Sequence, residues 1–320
     1  MRALVTGGAG FIGSTLVDRL LAEGHPVDVV DDLSTGTLGN LADARGDRSH
    51  ELKVHQVDIR SSEVVDLLVR RRPEVVFHLA AQTDVQQSLD RPAHDASINV
   101  VGSTNVLEGA RAAGARKIVF ASSGRAIYGV PTPSELPVRE SQPQLPLSPH
   151  GVSKKAVGDL LGAYRALYGL EFVTLALADV YGPRQDPSGE AGLVADLADR
   201  LVCGEACTIS GDGSQTRDLV FVDDVVDAFV RAADRGSGLL CNIGTGRETA
   251  VRDLHRVMAT AVGRPDAEVV ETPARPNAPA RSALDPGRAK LHLGWTPWTE
   301  LEAGAAAVLR WSVDRRAARR

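Results

Sequence analysis

Residues 148–155 read SPHGVSKK, and within them His150 and Lys154 stand four apart. On a helix that spacing puts two side chains on one face, one turn apart. An imidazole beside an ammonium can move a proton, and histidine, with an ordinary pKa of about 6.5, needs less activation as a base than tyrosine at about 10. A second set of residues has the chemistry of an anion site: Gly7, Gly10 and Gly13, spaced G-x-x-G-x-x-G, follow an apolar run and open an amphipathic stretch. Gly7 permits a tight turn, Gly10 lets the backbone approach a pyrophosphate, and Gly13 lets the next helix pack closely. The phosphates would rest on free N–H groups at the start of that helix, where Phe11 and Ile12 stand. Asp31 ends the following apolar run, where a carboxylate accepts hydrogen bonds from an adenosine ribose. Asp32 adds negative charge, and the next positions, Ser34, Thr35 and Gly36, offer no arginine to a 2′-phosphate. The pattern predicts NAD rather than NADP.

These groups need a scaffold. Six apolar runs rich in Val, Ile and Leu, ALVTG (3–7), VDVVD (27–31), LKVHQVD (52–58), VVFHLA (75–80), KIVFASS (117–123) and FVTLAL (172–177), read as parallel strands buried on both faces. Between them, Ile12–Ala22, Glu63–Arg71, Ile98–Ala113 and Val152–Tyr168 carry helical periodicity. The alternation predicts an α/β fold, a doubly wound parallel sheet of Rossmann type with a smaller C-terminal α/β lobe. Residues 1–175 form the dinucleotide-binding part, 220–245 return to it, and 176–320 make mainly the second lobe, where Pro- and Gly-rich loops thicken. Asp58 and Ile59 end the third strand, with Asp58 placed to meet the adenine amino group or to cap the surface. Leu79, Ala80, Ala81 and Gln82 end the fourth and would lie against the cofactor.

The 320 residues are 43% hydrophobic and 24% charged, with a net charge of −5, so there is no basic footprint for nucleic acid. No window reaches the roughly 18 apolar residues of a membrane span. No cleavable leader follows Met1, and a cytoplasmic location is expected. Cys203, Cys207 and Cys241 are too few and odd in number for a disulfide framework. Cys203 and Cys207 lack a second ligand pair, so no metal site is expected.

TGGAGFIGS (6–14), HLAAQ (78–82), NVVGSTNVLE (99–108), SSGRAIYG (122–129), SPHGVSK (148–154), DVYGPRQ (179–185), GDGSQTRDLVFVDDVVDA (211–228), NIGTG (242–246) and LGW (293–295) run in order along nearly the whole chain. Through them the sequence resembles the extended short-chain dehydrogenase/reductase superfamily, and most closely its NAD-dependent nucleotide-sugar epimerase/dehydratase family of the UDP-galactose (UDP-glucose) 4-epimerase type. The resemblance implies transient oxidation of a sugar carbon, usually C4, turning of the keto-sugar and return of the hydride. It implies a proton-transfer tyrosine where this chain has His150, a ribose-holding lysine at Lys154, and a Ser/Thr hydroxyl where Gly124 stands, leaving Ser123 as the nearest hydroxyl. Asn99 and Ser122 join the cofactor site by the same likeness. Arg217 and Arg275 match the arginines that grip the substrate diphosphate. Gly192, Leu193 and Ile209 belong to the segments that would wrap the base of a UDP-sugar, and Asp179 stands where an asparagine is common. Its carboxylate would need a cation, with Arg184 one candidate; Ala278 replaces an acid in the C-terminal substrate loop. Tyr181 reads as packing.

Related 4,6-dehydratases carry Asp-Glu where this chain has Arg125 and Ala126, which disfavours elimination. Gly124 and Ala126 would leave room for a keto-sugar to turn, which favours epimerisation. His150 remains open between a working acid/base, a bystander to another residue or water, and the mark of a protein that binds NAD and a nucleotide sugar without turnover. A homodimer is expected through Ile98–Ala113 and Val152–Tyr168, with Val106, Ala110 and Ala163 on the outer faces.

Overall fold

The structure, a computed structural model, describes residues 1–47, 51–187, 192–273 and 280–317. Six strands come first: β1 (Ala3–Thr6), β2 (Val27–Asp31), β3 (Leu52–Gln56), β4 (Val75–His78), β5 (Lys117–Ser123) and β6 (Glu171–Leu177). The chain then makes short pairings away from the main sheet. β7 (Asp179–Tyr181) pairs with β10 (Leu219–Phe221), β8 (Cys207–Ser210) with β13 (Val269–Thr272), and β9 (Thr216–Arg217) with β12 (Thr249–Ala250). Between them β11 (Leu239–Ile243) returns to the main sheet as a seventh strand beside β6.

The resulting sheet is all parallel, in the order β11-β6-β5-β4-β1-β2-β3. Alternate residues of each strand feed opposite layers, as a period of two requires. Val5, Val29, Phe77 and Val119 enter one apolar core, and Leu4, Val30, Val76 and Ile118 enter the other. The strand order reverses between β1 and β4, and a ligand crevice opens beyond the carboxyl ends at such a point.

Two helices differ from the sequence reading in ways that touch the site. The one expected from Val152 spans Pro149–Tyr168. Ser148 is its N-cap, accepting the Gly151 N–H at 3.2 Å, and Pro149 occupies the first helical position. His150 therefore lies in the first turn, and Lys154 follows one turn later. The segment read as one helix over Ile98–Ala113 is a π-helical stretch, Ser97–Gly102, running into an α-helix, Ser103–Ala113. The hydroxyls of Ser103 and Thr104 donate back to the carbonyls of Asn99 and Val100, which loosens this turn. Val106 and Ala110, expected on an outer face, are fully buried in the core. That surface instead carries Val101, Val152, Leu167 and Tyr168, with Ala163 exposed as expected. All three cysteines are free thiols. Among the described residues no helix is long and apolar enough to cross a membrane.

Candidate active site

The glycine turn closes the crevice at the β1 end. Gly7 has φ +70° and sits so near β4 that a Cβ on it would lie 2.7 Å from Ala80 N. A Cβ on Gly13 would lie 2.1 Å from the Gly7 carbonyl oxygen. Gly10 is different: its Cβ would meet only Gly7 O, at 3.3 Å, so protein packing does not require a glycine there. Close approach of a ligand's pyrophosphate would require one. Phe11 and Ile12 open the helix Phe11–Ala22 and are half-buried. Asp31 accepts N–H bonds from Ala9 and Leu33, both at 2.9 Å, and so holds the turn in shape. Burial pushes its carboxyl up, against these bonds. Gly36 lets the following loop close over the turn, since a Cβ there would come within 2.9 Å of the Ala9 carbonyl carbon. Asp32 caps the same loop through the N–H and hydroxyl of Ser34, and Ser34 and Thr35 are exposed at the crevice rim.

Asp58 accepts from the backbone and guanidinium of Arg60, and that bond holds its carboxyl below the usual range. An adenine amino group would have to share this carboxylate with Arg60. Ile59 is buried in the core, its side chain against Gly102, which leaves only its backbone for a ligand.

At the end of β4, Leu79, Ala80 and Ala81 are half-buried along the crevice wall. His78 behind them is completely buried and bridged on both ring nitrogens, to Thr6 Oγ1 at 2.7 Å and Ser103 Oγ at 2.8 Å. Burial, with the charge of Lys154, pushes it down to about 3, so it is a neutral structural group. Gln82 and Asn99 lock together: Gln82 N–H donates to Asn99 Oδ1, and Asn99 Nδ2 donates to Gln82 O, each at 2.9 Å. Asn99 Nδ2 also donates to Asp95 Oδ1 at 2.9 Å, and Ser153 Oγ donates to Asp95 Oδ2 at 2.7 Å.

This ladder leads to the helix carrying His150 and Lys154. The His150 ring is 4% exposed, with Nδ1 3.8 Å from Asp95 Oδ1 and no hydrogen-bond partner. Lys154 Nζ donates to Ala121 O of β5 at 3.0 Å and lies 4.9 Å from the Phe120 ring centre. Burial brings the ammonium down to about 8, with the charge of Asp95 opposing. Ser122 is buried and Ser123 half-buried at the end of β5, on the strand that Lys154 bonds.

The substrate side corrects the sequence reading. Asp179 pairs with Arg125, at 3.7 Å, while Arg184 pairs with Asp18 at 2.6 Å. The space expected beside Gly124 is filled: a Cβ there would lie 2.5 Å from Leu284 Cδ1. Ile209 is buried, so its side chain packs rather than faces a base, and half-buried Leu193 packs against the larger apolar core. Gly192 caps the helix Leu193–Cys203 and must be small, because a Cβ would lie 2.5 Å from Asp186 O. Tyr181 is buried with its ring edge on Phe221, as a packing residue. Arg217 donates to the Thr216 carbonyl. Its neighbour Asp218 gathers Thr245, Gly246 and Leu284 through four hydrogen bonds, fixing the strand that bears Arg217. Arg275 and Ala278 lie outside the described residues, as do 188–191 of the loop before Gly192.

Asp95 went unnoticed in the sequence. Its only signal there is a spacing of four before Asn99, which puts both on one helical face.

A parallel sheet with a glycine turn after β1, an acid ending β2 and a lysine reaching back to β5 defines a dinucleotide-binding protein built for redox chemistry on a bound substrate. The chain belongs to the NAD dependent epimerase/dehydratase family, whose model matches residues 3–244. It is 50% identical over 312 residues to a UDP-glucose 4-epimerase of Mycolicibacterium smegmatis, covering 97% of this chain and 98% of that one. The structure of a UDP-glucose 4-epimerase with UDP-glucose from Thermotoga maritima superposes with a TM-score of 0.93, at 41% identity over 99% of this chain and 100% of the other. The Thermus thermophilus UDP-glucose 4-epimerase in complex with NAD gives 0.90, at 38% identity over 98% and 99%. NAD is the family's cofactor, and the residues here fit it: Gly10 leaves its approach open, and the Asp31 carboxylate stands at the end of β2 beside the glycine turn, where it would meet the ribose.

Proposed function

We propose that this protein is an NAD-dependent epimerase that inverts C4 of a UDP-hexose through a keto-sugar, working in the cytoplasm as a homodimer. The observation that carries this reading is the placement of His150 and Lys154 on the first two turns of one helix, with Lys154 tied to the end of β5. The close likeness to UDP-glucose 4-epimerases over the whole chain supports it. The exposed apolar Val152, Leu167 and Tyr168 on the helix Pro149–Tyr168 support the dimer.

NAD, when bound, would supply the hydride-accepting and hydride-donating chemistry at C4. The chain's own residues do the rest. His150 takes the proton of the C4 hydroxyl and gives it back. The Lys154 ammonium, charged below about pH 8, orients the nicotinamide ribose and favours charge development on the sugar oxygen. Ser123 offers a hydroxyl in place of the missing one at Gly124. Arg217 and Arg275 hold the diphosphate, since a guanidinium fork matches phosphate oxygens. Arg125 offsets the Asp179 carboxylate that would otherwise repel it. Leu284 fills the space at Gly124, so the keto-sugar turns elsewhere in the pocket.

NMR of UDP-glucose incubated with the NAD-loaded protein tests this. UDP-galactose is the expected product, and His150→Gln should slow its formation about 100-fold while NAD stays bound. If the wild type binds both ligands but forms neither product nor reduced nicotinamide, the protein is a binding homologue without turnover.

A further inference from the structure

Two buried histidines lie near the crevice, and they differ in one respect. His78 has a partner on each ring nitrogen. His150 has Nδ1 sealed from solvent with none, and Asp95 Oδ1 lies 3.8 Å from it. Asp95 is 1% exposed, and every hydrogen bond it receives from Asn99, Ser153 and Gln82 comes from a neutral donor. Its negative charge therefore has no direct cationic contact in this network. Asp95, on the helix Pro92–Ala96, faces the imidazole at 3.8 Å, and the charge of Lys154, from the His150 helix, acts on the same carboxylate.

We propose that Asp95 is a positioning residue for His150: it takes the Nδ1–H bond when substrate is bound, fixing the tautomer that leaves Nε2 free to accept the sugar proton. The proposal rests on the acid/base reading of His150. A catalytic hydrogen bond that is long in the ligand-free state and tightens with substrate is the general pattern. In the step, the C4 O–H bond breaks, an Nε2–H bond forms, and the imidazolium is stabilised by the Asp95 carboxylate as the C4 hydride leaves to the dinucleotide. When the ketone is reduced, the same proton returns to oxygen. An aspartate that orients a histidine and steadies its cation does the same work in serine hydrolases. The three neutral donors hold the carboxylate where it is. Burial pushes its carboxyl up, but the nearby His150 imidazole, the Ser153 hydroxyl and the charge of Lys154 together hold it below its ordinary range.

The test uses the NAD-loaded full-length protein. Asp95→Asn should lower kcat about 100-fold with KM changed less than about threefold. The acidic limb of its kcat/KM profile should move to lower pH by about one unit, because the carboxylate no longer favours the imidazolium. In a His150→Gln background the same change should cost less than about threefold. Nitrogen-15 NMR of the wild-type imidazoles with UDP-glucose bound, assigned with His150→Gln, should show His150 protonated at Nδ1 in its neutral form. This reading needs no turnover, so it stands even if the wild type proves inactive, an outcome that would sink only the epimerase assignment. It also decides the matter if Asp95→Asn loses NAD or fold. An Nε2–H tautomer, an unmoved acidic limb, or an equal loss in the His150→Gln background would overturn the proposal.

Discussion

Leu284 occupies the space into which a side chain at residue 124 would project, with 2.5 Å to a Cβ placed there. The missing hydroxyl at Gly124 and the bulk of Leu284 are thus one local solution, and restoring the hydroxyl alone forces an overlap. Gly124→Ser is expected to cost about 1–3 kcal/mol of stability by overpacking. Adding Leu284→Ala should relieve the overlap, a result visible in urea unfolding; an unchanged midpoint for Gly124→Ser would mean that Leu284 yields freely. The residues whose placement was legible in the sequence are those with fixed local spacing: Gly7, Gly10 and Gly13, Asp31, and the His150–Lys154 pair. Leu284 was illegible because it lies 160 positions from Gly124, on a separate segment. Asp95 was illegible because its meaning depends on a helix, His150's own, that comes from elsewhere in the chain. Asp179 was half-legible: its need for a cation was plain, and only the fold chose Arg125 over Arg184.

At the level of elements, the first strand, turn and helix separate two reasons for a glycine. Gly13→Ala drives a Cβ into the Gly7 carbonyl and should cost about 1–3 kcal/mol even without cofactor. Gly10→Ala meets almost no protein, so its stability should stay within about 0.5 kcal/mol of wild type while NAD affinity falls about tenfold or more. Thermal melts of the cofactor-free proteins and NAD titrations distinguish the two; equal destabilisation by both would contradict the assignment of Gly10 to the ligand. The strands were readable because buried parallel strands are uninterrupted apolar runs, and β2, β5 and the helix Glu63–Arg71 fall where the pattern put them. β11 was visible only as a segment returning to the first unit. The π-helical stretch at Asn99 was hidden, because Ser103 and Thr104 bonding to carbonyls four residues back leave the apolar periodicity untouched.

Across the whole molecule, the sheet's reversal between β1 and β4 brings the strand ends that carry Gly7, Asp31, Ala80 and Ser123 to one edge of the sheet. The ladder from Gln82 through Asn99 and Asp95 to Ser153 joins the end of β4 to the helix that carries His150 and Lys154. The mild negative charge of −5 sets the molecule apart from polyanion binders. The central claim, that C4 of a bound UDP-hexose is oxidised and re-reduced by the same hydride, is tested most directly with UDP-glucose carrying deuterium at C4. In ordinary water the protein is predicted to yield UDP-galactose with the deuterium still on C4. Label washed out to solvent, or unreacted UDP-glucose after prolonged incubation with NAD bound, would contradict it.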